Sequence, residues 1–426
     1  MKMKKVLAIV LVVAIAAALC IAFAACGDKE DSDQFTLGLI TLHDSNSTYD
    51  KNFIDAANDA AKELGFKVII KSGIPEGNEC YEAAIDLIEQ GCDAIFADSF
   101  GHEEFILKAA KEYPNIQFAH ATGTMAHTEK LANFHNAFAA IYEGRYLAGI
   151  AAGMKLNEMI TAGTITAEQA VMGYVGAYPY AEVKSGYTSF YLGAKSVCPS
   201  VTMKVAFTNS WYSANREKEA ANSLMASGCV LMSQHADSMG APAACELANV
   251  PDVTYNLSTK SDCPNTYLAG SKINWRIYFK HMYEAITTND ESFKTEYDWT
   301  GTIQNGAVEF IALGNHPAEG TQAAIDAATA AFKAGTLKVF DTASFTVTRI
   351  DTGVWATSKN LNATVDENGK LVQYKADVDS DPAYTADTDV VDANGIFQES
   401  KFRSAPYFDV DIDGIEIVGT FDKIAE

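Results

Sequence analysis

From Phe35 onward, short apolar runs alternate with longer stretches whose apolar residues recur at helical spacing, and this alternation constrains the fold more than any other feature of the chain. Residues 35–41 read as a buried strand. A helical stretch over 52–64 follows and stops at Gly65, a residue suited to a left-handed helix cap. The cycle repeats with a strand over 67–71, a helix over 81–90 ended by Gly91, a strand over 94–97, a helix over 103–112 ended before Pro114, and a strand over 117–121. Strands that alternate with helices in this way call for right-handed crossovers and a parallel sheet.

After a long helix over 137–155, a second series begins: strand 171–176, helix 183–197, strand 202–208, helix 216–227 and strand 230–233. The two series match in detail. Glu82-Ala83-Ala84 with Leu87 and Gly91-Cys92 has the spacing of Glu219-Ala220-Ala221 with Leu224 and Gly228-Cys229, which predicts internal pseudo-symmetry. Ligands of parallel α/β sheets meet the loops at the carboxyl ends of the strands. Two such sheets facing each other make a cleft lined by both sets of loops. The expected class is therefore α/β, with two doubly wound parallel-sheet lobes. Beyond residue 351 the composition turns polar, with turn signals at Asn368-Gly369 and Asn394-Gly395, and 351–398 reads as a surface hairpin excursion. Phe408, Val410 and Ile412 alternate with Asp409, Asp411 and Asp413, the pattern of a half-buried strand with an acidic outer face. A turn at Asp413-Gly414 leads to another strand over 415–418.

The N-terminus is of a different kind. Lys2, Lys4 and Lys5 precede an uninterrupted apolar run over 6–25, the layout of an export signal. Phe23-Ala24-Ala25-Cys26 is similar to a lipobox, which predicts cleavage before Cys26 and lipidation of its sulfur, although Phe23 stands where Leu is usual. Residues 27–33 are too polar to fold and read as a tether. A plain transmembrane anchor is the alternative, since about 20 apolar residues span a bilayer.

Loss of the three lysines moves the formal charge from −23 to −26, an acidity that argues against nucleic acid or anionic lipid surfaces as partners. The roughly 390 residues that follow the tether are enough for two cores. Cys80, Cys92, Cys198, Cys229, Cys245 and Cys263 have irregular spacing and no CxxC pair, so they read as small core residues rather than a zinc site or a disulfide scaffold. Asp377 to Asp381 fails the EF-hand pattern, because Pro382 and Thr388 stand where Gly and Glu are needed. No P-loop, GxSxG, HExxH or CxxC occurs, so no cofactor, metal or catalytic machinery is expected.

Several segments together are similar to the basic membrane protein family of substrate-binding lipoproteins, in the branch that binds purine bases or nucleosides. They are Ala97-Asp98-Ser99-Phe100-Gly101-His102, residues 118–123, the stretch from Tyr142-Glu143-Gly144-Arg145 to Gly153, Asn209-Ser210-Trp211-Tyr212, Ser233-Gln234-His235-Ala236-Asp237-Ser238 and Asn274-Trp275. The resemblance implies a type I periplasmic-binding-protein fold, whose lobes are joined by crossing hinge strands and close on a ligand. It further implies delivery of that ligand to an ABC permease and a place on the outer face of the cell membrane, held by the N-terminal lipid. The chain departs from relatives in its first loop, where Ser47 stands in place of an aromatic, and after Asp351. The expected division is 35–160 plus about 270–295 for the first lobe, 165–268 plus about 298–345 for the second, and 351–426 as an excursion with terminal strands.

A planar base needs faces to stack on, worth about 1–3 kcal/mol each, and polar groups around its edge. Phe100 and Trp211 directly follow predicted strands and are expected to line the cleft from opposite lobes. Trp275, Asp44, Asn46, His235 and Asp237 complete the candidate set. Asp237 is a hydrogen-bond acceptor for a ribose hydroxyl or a base N–H. Five have a structural alternative: packing beneath a loop for Phe100 and Trp211, hinge packing for Trp275, and loop capping for Asp44 and Asn46. Glu143 and Arg145, two apart on a helix, do not face each other and read as structural. The competing functional readings are a surface lipoprotein that binds a sugar or an amino acid, and one that binds a macromolecule without transport.

Overall fold

The strand β1 (Thr36–Thr41) is buried at every position, as befits a parallel strand with helices on both faces. The computed structural model describes residues 34–348 and 362–422, so the signal, Cys26 and the tether lie outside it. Helix α1 (Thr48–Leu64) starts earlier than its periodicity suggests. Ser47 caps it by accepting from Asp50 N, and Gly65 ends it at φ 76°. There follow β2 (Lys67–Ser72), α2 (Asn78–Glu89), β3 (Ala94–Ala97), α3 (Glu103–Glu112), β4 (Gln117–Ala121), a short α4 (Ala126–Glu129), β5 (Phe134–Ala139) and α5 (Ile141–Thr161). The strand β5 corrects the expected helix over 137–155. Its alanines favour a helix, but burial and pairing with β4 outweigh that weak preference.

The second series comprises β6 (Val171–Gly176), α6 (Ala181–Val197), β7 (Thr202–Phe207), α7 (Ala214–Ala226), β8 (Leu231–His235), α8 (Gly240–Ala248), β9 (Asp252–Tyr255) and β10 (Tyr267–Ile273). Then come α9 (Trp275–Thr287), β11 (Asp298–Gly301), β12 (Val308–Ile311), α10 (Thr321–Lys333), the small strands β13 (Ala363–Val365), β14 (Leu371–Ala376) and β15 (Thr388–Asp389), and β16 (Ile415–Thr420). The first sheet runs β11-β5-β4-β3-β1-β2 and the second β12-β10-β9-β8-β6-β7-β16. Both thus share the order 2-1-3-4-5. The matched helices behave alike too: Ala84 and Leu87 in one lobe, and Ala221 and Leu224 in the other, are buried in the respective cores, and Gly91 and Gly228 take positive φ.

The lobes differ from the expected division at a strand and at a helix. β11 joins the first sheet beside β5, and α5 packs on α6 and β10 of the second lobe. The α5–α6 contact is backbone to backbone. A Cβ on Gly149 would lie 2.1 Å from Phe190 O, and one on Gly193 2.1 Å from Tyr146 O. The chain passes between sheets near Ala140, Asn274 and 302–307. Hydrogen bonds tie these crossings together, Ala140 N to Gly301 O (2.7 Å) and Asn274 N to Ala307 O (2.8 Å). Glu143 accepts from Ile303 N at 2.7 Å, while Arg145 is fully buried and donates to Thr254 O, Tyr174 OH and Ser233 Oγ, so both are structural.

The polar excursion forms a three-stranded antiparallel sheet, β13-β14-β15, whose neighbourhood is held by stacked aromatics, Phe340 on Phe408 at 4.2 Å with Phe397 and Tyr374 beside them. Phe408, Val410 and Ile412 are buried as their alternation suggests, but among the described residues the segment pairs with no strand. Its acids do not simply face water. Asp409 and Asp411 lie 2.7 and 3.2 Å from Nζ of the buried Lys184, whose charge needs such partners. β16 extends the second sheet in parallel beside β7. The six cysteines that follow the tether are buried and unbridged. No helix among the described residues is long and apolar enough to cross a membrane.

Candidate functional site

A sheet of order 2-1-3-4-5 has its switch point between its first and third strands, where loops leave in opposite directions and open a crevice. Both sheets place their crevices against one narrow cavity, whose empty space of about 360 Å³ includes the solvent at its mouth. From the first lobe come His43 after β1, Tyr49 and Asp50 in the first turn of α1, Ser99 and Phe100 after β3, and Thr122 after β4. The second lobe supplies Glu182 at the start of α6, Trp211 after β7, and His235 with Asp237 at the end of β8. The lobes touch: Thr48 N donates to Asp237 O at 2.8 Å.

Two aromatic surfaces face the cavity. Phe100 is 45% exposed, and its ring lies 5.7 Å from that of Tyr180 on the other lobe. Trp211 packs edge-on against Tyr178 at 5.1 Å and tilted against Tyr180 at 6.1 Å, a geometry that fixes the indole. The polar rim is acidic. Burial works to raise the Asp50 carboxyl, but hydrogen bonds from the side chains of His43 and Ser47 and from His43 N outweigh it and hold the group below its usual range. Asp98, buried beneath the cavity, is pushed well above the carboxylate range by burial and by the nearby Asp50 charge. Glu182 faces His235, with Oε1 3.3 Å from Nε2. Among the described residues His235 Nδ1 is buried without a hydrogen-bond partner.

Of the residues singled out in the sequence, Phe100, Trp211, His235 and Asp237 are brought together here. Trp275 is not. It is 1% exposed and stacked on Phe53 at 4.2 Å with Phe96 at its edge, so it belongs to the first lobe's core. Asp44 and Asn46 lie in the exposed loop outside the cavity, Asp44 accepting from Asn46 N at 2.9 Å in a local turn. His235 is paired with Glu182. The departure at Ser47 is explained by its capping role. Tyr49, Asp50 and Glu182 were missed in the sequence. Their only signal was a position in the first turn of a helix that follows a strand. The three-acid group of half-buried Asp379 with exposed Asp381 and Asp387 lies in the C-terminal module, where local hydrogen bonds such as Asp381 N to Asp379 account for its shape.

Residues 40–331 match the model of the Bmp family, described as ABC transporter substrate-binding protein PnrA-like. A purine-binding protein of Brucella abortus is 29% identical over 265 residues, covering 62% of this chain and 70% of its own length. A Haloferax volcanii protein named for ABC-transporter glucose binding is 32% identical over 209 residues, and the chain spans about half (49%) of it. Among solved structures, an ABC-transporter solute-binding protein from Aeropyrum pernix superposes with a TM-score of 0.58 at 14% identity, covering 75% of this chain and 94% of that one. One from Conexibacter woesei gives 0.56 at 18% identity, covering 71% and 98%. These likenesses establish the type I periplasmic-binding-protein fold. With the family come an extracytoplasmic place, a small-molecule ligand and a permease partner rather than an enzymatic reaction. The chain belongs to the Bmp family of PnrA-like ABC-transporter substrate-binding proteins.

Proposed function

We propose that the cavity takes a purine base or nucleoside, which the protein, anchored through a lipid on Cys26, delivers to its permease. The observation that carries this reading is the joining of aromatic faces from opposite lobes, Phe100 and Trp211, with carboxylates at both switch points. Such rings offer stacking faces to a flat heterocycle, and Asp50 and Asp237 can accept from ring N–H or ribose hydroxyl groups. Hinge closure buries the ligand and gives the permease a closed form to recognise. The Brucella relative's purine binding supports the same choice.

A sugar is the second reading, favoured by the acid-rich rim and by the Haloferax relative's name. Thermal shift on the chain without residues 1–33 separates the two. Adenosine, guanosine, hypoxanthine, glucose, ribose and amino acids are compared at equal concentration, and a rise with purines alone is expected, since a ligand at 100 times Kd adds about 2.7 kcal/mol. A rise with sugars or amino acids only overturns the purine choice. Labelled palmitate should enter the full-length chain in its host and fail to enter Cys26→Ala.

A further inference from the structure

The segment 399–411 lies outside the family-matched residues and touches both lobes. On the first lobe, Ser404 Oγ and N donate to Asp298 Oδ1 at 2.9 and 3.0 Å, and Asn136 Nδ2 donates to Ser404 Oγ at 2.7 Å. Asn136 sits on β5 and Asp298 opens β11, neighbours in the first sheet. On the second lobe, Asp409 and Asp411 hold Lys184 in the first turn of α6, and Gly414 O accepts from Met203 N as the chain enters β16. Arg403, Ala405, Pro406 and Asp409, with Phe100 and Tyr180, border an open recess of about 940 Å³ beside the ligand cavity. Recess and cavity share Phe100, Thr122 and Glu182, so the segment runs along one flank of the cleft.

From this geometry we infer that Ser404–Asp409 is a tether that fastens the two lobes to each other and limits how far they part. Chain length sets the limit. Five residue steps separate the two anchors, a reach of at most about 18 Å when fully extended. The packing shortens the free length further, because Tyr407 and Phe408 are buried and Phe408 is stacked on Phe340. Hinge opening must therefore release Ser404 from the first lobe or pull Phe408 from its packing. With the lobes held close, the recess lies open beside the cavity. A macromolecule that needs a widely parted cleft is excluded. The inference rests on the two-lobed fold and not on the ligand's identity.

Hydrogen exchange on the ligand-free chain tests it. The Thr48 amide bonds to Asp237 O across the cleft, so its exchange reports parting of the lobes. Ser404→Glu sets a second carboxylate against Asp298 and drives the segment off the first lobe. Exchange over 44–52 is expected to rise at least tenfold while β1 and β8 keep their protection; exchange over 44–52 equal to that of the parent overturns the tether. The pair Asn136→Cys with Ser404→Cys provides a second measurement that does not depend on the first variant folding. Its oxidised form should protect 44–52 more than its reduced form, and equal protection in the two forms likewise overturns the inference.

Discussion

Trp275 and Trp211 make a paired test of where packing ends and recognition begins. Trp275 is 1% exposed, stacks on Phe53 at 4.2 Å and meets the edge of Phe96 at 5.7 Å. Truncating a buried indole to alanine removes its transfer energy and leaves a hole, a loss of about 3–5 kcal/mol. The two ring contacts add about 0.5–1.5 kcal/mol each to what is lost. Trp275→Ala should therefore lower unfolding stability in urea by at least about 3 kcal/mol. Its ligand affinity at 20 °C, while the fold persists, should stay within about threefold of the parent, or 0.7 kcal/mol. Trp211 is half-buried, its indole held by Tyr178 and Tyr180 at the cavity wall. Trp211→Ala should reverse the pattern, with a small stability loss and at least a tenfold weaker Kd, about 1.4 kcal/mol. Urea melts and isothermal calorimetry with the ligand found by thermal shift read both quantities. A large affinity loss in Trp275→Ala without a stability loss, or unchanged binding in Trp211→Ala, refutes the assignment.

Gly149→Ala should destabilise by about 1–3 kcal/mol or more in urea, since its Cβ would meet Phe190 O at 2.1 Å; the ~1 kcal/mol helix preference of alanine over glycine is too small to compensate. Asp252 is fully buried, and burial pushes its carboxyl up to about 7 from an ordinary value of 3.8. The unfolded group ionises first, so stability is greatest below pH 4 as far as this group is concerned and falls as pH rises to 7, by up to about 4 kcal/mol. Asp252→Asn should flatten that slope and narrow the gap between urea midpoints at pH 5 and pH 8; an unchanged slope counts against a buried ionising Asp252. Lys184→Met leaves Asp409 and Asp411 without their cation and should cost about 3 kcal/mol, as breaking a buried pair does; a loss below 1 kcal/mol in urea would refute that pairing.

The repeated strand-and-helix rhythm was legible because it depends on local periodicity. β3, α3 and β4 fall where spacing puts them, and the shared order of the two sheets follows from the repeated motif around Gly91 and Gly228. β5 was not legible, because Ala137 to Ala140 carry no helix-breaking residue and their strand state is imposed by β4 and β11. In the cavity, residues immediately after strands could be named, as Phe100, Trp211, His235 and Asp237 were. Asp50 and Glu182 could not, since a carboxylate in a first helical turn is ordinarily a response to the helix dipole. Trp275 looked like a site residue because a Trp beside a crossing has the same local sequence whether it faces a cleft or a core. Nor does Ser404 carry a local sign of its role, as its partners on β5 and β11 are more than 100 residues away.

The place of β16 has a consequence for how the molecule assembles. The strand that completes the second sheet beside β7 follows it by more than 200 residues, with the small aromatic module threaded between them. Long-range parallel pairing must close a large loop before it returns any energy, which makes such folds slow. Until β16 docks, β7 offers an open backbone edge of the kind that invites misassembly. The first lobe's sheet is complete at β11, so the second lobe should be the late-maturing half and the one that depends on assistance during export.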